Sequence, residues 1–294
     1  MRRRNRWITA LVVLAACGGP PLTPAAAPPA PVTSPSPAPG AVPARLALPA
    51  RLPTTTWRVR SVARVTVTGS GATAAAADEQ GVESTAFVSW SAERQPSGAL
   101  RATGLVDSFT VRTSLGAPRG AMMPSPPAMV LLEGTLDSTR VRITTRPPLT
   151  NECDRLETGA ASLARDLLVR VPNGLVAGDG WKDSSVTLVC RSGVPLTVYT
   201  TVLSRVEHLA EDRLVVRREL ASRLEGRGGS AFRALELTGT GQGSQRLEIA
   251  PQRGTVERLE GLSTLTLVAS ERLPGAPLRT QRVVQRTELT AVRR

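Results

Sequence analysis

Aromatic side chains are scarce in this chain: three Phe, one Tyr and four Trp, 3% of 294 residues. A surface that stacks successive bases needs such rings. Despite a formal charge of +13, no nucleic-acid partner is therefore expected. Histidine is scarcer still. His208 stands alone, which removes every acid–base or metal scheme that needs two imidazoles. It continues the face of Val198, Val202 and Val206 and reads as structural. Lysine is reduced to Lys182, so the positive charge rests on arginines spread along the chain. The three cysteines, Cys17, Cys153 and Cys190, are too few and too far from His208 to form a zinc ligand set of ordinary spacing. Also missing are a Gly-x-Ser-x-Gly elbow, a His-Glu-x-x-His helix, a P-loop and a glycine-rich turn opening a helix after a strand. These absences predict no enzyme activity, no metal and no cofactor. Paired carboxylates leave no motif, but the acids present have plainer roles. Glu152, Asp154 and Glu157 suit the first turn of a helix, and Asp179 and Asp183, beside Trp181, suit a turn that bonds its own backbone.

No apolar run reaches membrane-spanning length. Trp7 to Ala16 (WITALVVLAA) is the longest near the N-terminus, and roughly 20 residues are needed to cross a bilayer. Arg2, Arg3, Arg4 and Arg6 precede it. A basic segment followed by a short apolar one is the pattern of a secretory leader. The run ends in Leu14-Ala15-Ala16-Cys17, which resembles the lipobox of bacterial lipoproteins. The resemblance implies cleavage before Cys17 and diacylation of its thiol. More than one acyl chain makes such an anchor lasting, because a single chain binds only marginally. It also implies a place in the cell envelope, facing the periplasm or the exterior. Gly18, where an Asp would stand in retained relatives, points to the outer membrane rather than the inner. Loss of the four leader arginines leaves the mature chain near +9.

The stretch after Cys17 is dense in proline. Twelve of the 24 prolines fall between Pro20 and Pro53. Each removes a backbone donor and fixes φ, so residues 17–53 read as a lipidated cysteine and a Pro/Ala-rich disordered tether, polyproline-like and solvated. Residues 1–16 are the leader, and residues 54–294 carry the folded body.

If Cys17 is lipidated, two thiols remain. An exported protein normally oxidises such a pair, so Cys153 and Cys190 are expected to form a disulfide.

The body reads as mainly β. In Trp57 to Thr68, Trp57, Val59, Val65 and Val67 share one face, and Arg58, Arg60, Arg64 and Thr66 share the other, the period of a half-buried strand. Further strands are expected over 84–93, 100–113, 129–136, 139–145, 185–191, 196–208, 213–224, 232–240, 244–250, 255–270 and 279–292. Turns are expected at 226–229 and 274–277. The stretch 117–128, with Met122 and Met123 and bordered by Met129, reads as a surface loop or as the flexible lip of an apolar pocket. One helix is expected over about 152–170, because Leu156, Ala160, Leu163, Leu167 and Val171 recur at three- and four-residue spacing before Pro172-Asn173-Gly174 stops it.

Strands, a helix ending at a proline, a Gly178-Asp179-Gly180-Trp181 turn and a long meander resemble the half-barrel lipoprotein carriers and receptors of the periplasm, the LolA and LolB type. That likeness implies a large curved antiparallel sheet wrapped round one covering helix, with an apolar concavity for acyl chains. On this reading Leu156, Leu163, Leu167 and Val171 line the cavity or fill the core. The function expected is a non-enzymatic, membrane-anchored lipoprotein that binds a lipid or other hydrophobic ligand. The alternative is an envelope scaffold with a filled core, partnered by another envelope protein.

Overall fold

The computed structural model describes residues 45–70, 78–95, 99–114, 121–122, 130–136, 140–146, 164–191, 194–230 and 233–294. In chain order the strands are β1 (Arg51–Ser70), β2 (Asp78–Arg94), β3 (Leu100–Ser114), β4 (Ala121–Met122), β5 (Val130–Leu136), β6 (Arg140–Arg146), β7 (Gly180–Arg191), β8 (Val194–Leu209), β9 (Leu214–Ser230), β10 (Arg233–Ala250), β11 (Thr255–Arg272) and β12 (Arg279–Arg293).

The architecture is the mainly β one that the alternating sequence predicts. Nine long strands lie in unbroken antiparallel order, β7-β8-β9-β10-β11-β12-β1-β2-β3, and form a curled half-barrel. β5 pairs with β3 and β6 with β5. β6 then meets β7 in a parallel contact of only two residue pairs, Arg140 with Ser184 and Val141 with Ser185. These short strands bridge the open side of the sheet. β4 is a two-residue stub beside β3.

Period-two burial decides which face turns inward. Trp57, Val59, Ala63 and Val65 of β1 are buried, while Arg58, Arg60 and Arg64 are exposed. β8 alternates likewise from Val194 to Val206. The inward side chains form two large apolar clusters at opposite ends. One gathers Trp57, Val59, Trp90, Val216, Ile249 and Leu259; the other gathers Val65, Leu196, Leu224, Leu237, Leu267 and Val283. Between them the inward positions turn polar: Arg218, Ser222, Gln245, Gln285 and Thr287 are all buried.

Three expectations need correction. Residues 226–229 are not a turn but the end of β9, and 232–240 and 244–250 belong to one strand, β10. The glycines there serve close approach rather than reversal. A Cβ on Gly226 would run into the backbone of Pro195 and the side chain of Leu196, so a glycine is what lets β9 lie this close to β8 at that point. The folded body also begins before residue 54. β1 starts at Arg51, and Leu46 is buried, its N–H donating to the Leu175 carbonyl (2.9 Å) and its own carbonyl accepting from Gly174 (2.7 Å). Two prolines do not prevent this: Pro49 precedes β1, and Pro53 falls at the register shift of the β1–β2 ladder between Leu52 and Thr55, before β1 meets β12 at Trp57. Finally, of the helix expected over 152–170, the described part is helical only at Ala164 and Arg165. The chain turns at Asp166 and Leu167, and residues 168–172 are non-helical, as suits a segment approaching Pro172.

Candidate functional site

The site that the fold builds is the inside of the curled sheet at the end where residues 164–176 cross it. Trp90, on β2, donates its indole N–H to the carbonyl of Ala164 (3.1 Å). That places the segment against one wall. Arg165 donates to Thr187 Oγ1 on β7 (2.8 Å), and Arg170 Nε donates to Asp183 Oδ1 on the same strand (3.1 Å), which ties it to the opposite wall. Trp57 on β1 donates to the Val256 carbonyl (2.7 Å) and fixes the start of β11 over the segment. Ala164, Leu167, Leu168 and Val171 are buried in the same apolar cluster as the two tryptophans. The segment is thus a plug, held by polar bonds at its ends and apolar packing between them.

Glycine placement makes the packing possible. Gly104 on β3 lies opposite Trp90, and a Cβ there would occupy the indole ring. The hollow left beside Trp57, Trp90, Leu100, Leu167, Leu168 and Ile249 holds only about 30 Å³. That is about the share of liquid volume of one water molecule.

Beneath the plug lies a buried polar group. Arg218 Nη1 donates to Gln245 Oε1 (2.8 Å) across the β9–β10 ladder. Gln245 also hydrogen-bonds Asp166 of the plug. Burial pushes the Asp166 carboxyl above the ordinary aspartate range, against the pull of Arg165, Arg218 and the Gln245 bond. Asp183 is separate. It accepts from Trp181 Nε1 (2.8 Å) as well as from Arg170. The buried hydroxyls of Ser61 and Ser84, cross-strand neighbours on β1 and β2, find no partner among the described residues. Each carboxylate is engaged by cationic or amide donors, an arrangement that orients and locks a segment. Among the described residues no group of three metal-ligating side chains comes together.

The residues expected from sequence meet different fates. Leu167 and Val171 are each 4% exposed and pack in the apolar cluster, on chain that is not helical there. Leu156, Leu163, Cys17 and Cys153 lie outside the described residues, as do Met123 and Met129. Cys190 stands on β7 opposite Pro195. Asp179 holds the expected turn, its Oδ2 accepting from the Val176 N–H (2.9 Å). Asp183 does not; it sits on β7 and points inward with Ser185. His208 also departs from expectation. A register shift between Val206 and His208 breaks the alternation, and His208 is exposed rather than continuing the valine face. Arg218, Gln245 and Asp166 are missing from the residues that the sequence singles out. A signal exists for β9, where Arg218 falls on the inward register between Val216 and Leu220.

No protein-family model matches the chain, and no curated protein is similar to it. Among solved structures, the crystal structure of Pseudomonas aeruginosa OccK5 (OpdH) overlaps 81% of this chain and 98% of its own at 5% identity, with a TM-score of 0.22. An overlap of that degree carries no argument about fold or function.

Proposed function

We propose that this chain is a lipid-anchored envelope protein whose β body works through its outer surface, as a scaffold or interaction module, and not by carrying a lipid inside. The anchor rests on the sequence of residues 2–17 and the tether on the prolines beyond it. The observation that supports a filled body is the plug. The hollow beside Trp57 and Trp90 is about 30 Å³, whereas even a benzene-sized guest takes a cavity of about 150 Å³. An acyl chain would have to expel Leu167 and Leu168.

The outer face supports the same reading. Along β9, Arg217, Glu219, Arg223 and Glu225 are exposed, and Arg217 and Arg223 pair with Glu219 and Glu225. On β9, apolar within and charged without is the reverse of a strand that faces lipid. The anchor, on this reading, is the covalent lipid on Cys17.

Native mass spectrometry of protein extracted from its own membrane tests the proposal. The expected mass is the chain plus its covalent acyl groups. A further, non-covalent lipid held by the body in stoichiometric amount overturns the filled-core reading and restores the carrier one.

A further inference from the structure

The outer face of the sheet is uneven in how it treats arginine. Over parts of it a cation pairs with an acid two residues along the strand or across the ladder: Arg217 with Glu219, Arg246 with Glu248, Arg258 with Glu260, Arg60 with Glu83. Among the described residues no such pair forms on one panel of β10, β11, β12 and β1. There Arg64 and Arg286 stand directly opposite one another in the β1–β12 ladder, both exposed. Such neighbours have Cβ atoms about 5 Å apart, and like charges so placed repel. Arg282, also exposed, is on the same face of β12, about 13 Å along the strand. No carboxylate among the described residues forms an ion pair with any of the three.

Half-buried Val284 lies between Arg286 and Arg282 and Val268 faces Arg282, while the other positions beside these arginines are neutral and hydrogen-bonding. Thr264 lies opposite Arg286, and Thr66 is the next outward residue after Arg64. Gln242 and Thr240 of β10 continue the rows beyond Thr264 and Thr266. Acids border the panel at Glu288, Glu225, Glu83, which pairs with Arg60, and the register position of Glu79 beside Thr66.

We propose that this panel docks a linear anionic polysaccharide. The proposal rests on the scaffold reading above and names its partner. Charge complementarity selects the class: a paired cation site with no internal counter-ion is relieved by a ligand carboxylate or phosphate, which a guanidinium holds by two parallel bonds. The hydroxyls and amide in the rows beside the cations match a chain that carries sugar hydroxyls along with its charges. Base-stacking rings are missing from the panel, which disfavours nucleic acid. Its position disfavours a bilayer. The tether joins the body at Leu46, whereas Arg64 lies about 40 Å further along β1, and the apolar residues of the panel, Val268 and Val284, are half-buried rather than presented for insertion.

The experiment measures binding of polyuronate oligosaccharides to the full chain, with neutral dextran, anionic phospholipid vesicles and duplex DNA as comparisons. The proposal expects salt-sensitive binding of the polyuronate, tighter than of the other three. Arg64→Gln with Arg286→Gln weakens it by on the order of tenfold, as loss of charge-assisted bonds implies. Arg217→Gln with Arg227→Gln changes charge equally at acid-paired sites and leaves binding within about twofold. Absence of polyuronate binding, equal loss in both double variants, or tighter binding of dextran, vesicles or DNA overturns the proposal. Such a result leaves the scaffold reading standing on its mass-spectrometric test, while co-purified lipid would remove that reading whatever the polysaccharide does.

Discussion

Replacement of Leu167 by Ala probes the plug most directly. The side chain is 4% exposed and packs in the cluster that holds both Trp57 and Trp90. Withdrawing a buried leucine from its apolar surroundings forfeits about 2 kcal/mol of transfer energy. The cavity left behind adds to this. The walls are strands locked into ladders on both sides and cannot collapse, so most of the deleted volume, on the order of 80 Å³, stays empty at about 24 cal/mol per Å³. The two contributions together come to about 4 kcal/mol, a large part of the roughly 5–15 kcal/mol that holds an average domain folded. For a body of this size each kcal/mol moves the midpoint by roughly 2–4 °C, so thermal unfolding followed by circular dichroism should fall by about 10 °C. Leu167→Asp buries a charge in the same place and should prevent stable folding. An unchanged midpoint for either variant would refute the plug. Restoration of the Leu167→Ala midpoint by lipid extracted from the native membrane would instead show that the vacated space is lipid space.

Four other outcomes are expected. Gly104→Ala drives a methyl group into the Trp90 ring and should cost about 1–3 kcal/mol in denaturant unfolding; a neutral result would contradict the packing described. Asp166 has its folded pKa raised by burial, so the native state holds the proton more tightly and loses stability as pH rises above the ordinary aspartate value of about 3.9. Asp166→Asn removes that loss, and its midpoint relative to wild type should climb as pH rises above that value; a relative fall would show that the pull of Arg218 outweighs burial. Non-reducing peptide mapping should recover Cys153 joined to Cys190, a loop of about 37 residues worth roughly 3–4 kcal/mol, and free thiols in folded material would reject the pair. Cys17→Ser leaves no thiol to acylate, so a fatty-acid probe that still labels this variant would rule out the anchor.

How far the sequence can be read differs between elements for physical reasons. Strands such as β1 and β8 are legible because one face is buried and the other solvated, so period two is written into the residue types. β9 and β10 mislead where glycines interrupt that period. A glycine in a strand and a glycine in a turn look alike until the approach of β8 to Gly226 is known. His208 misleads because the register shift after Val206 is a property of the ladder and not of the residues in it. Leu167 and Val171 are buried although the chain that carries them is not helical past Arg165. Their burial depends on neighbours in space, and helical spacing is one of several ways to obtain it. The buried Asp166–Gln245–Arg218 group is the least legible, since its members come from the plug, β10 and β9, which only the fold brings together.

That group also bears on why the body has a plug at all. A ring of about eight strands has an interior that wall side chains alone can fill, and wider ones enclose a channel or need something inside. Here the ordered run from β7 round to β3, extended by β5 and β6, exceeds that number. Leucines and tryptophans from the walls close the ends into two apolar clusters but leave polar inward residues at the middle level. Residues 164–171 supply the missing volume at one end, and Asp166 supplies a partner for Gln245 at the level where the wall turns polar. An acyl chain at this level would supply volume but no hydrogen-bond acceptor. The pairing of an inward Gln and Arg on the wall with an acid on the crossing segment therefore favours a chain built to be filled by itself, which is what the proposed scaffold role requires.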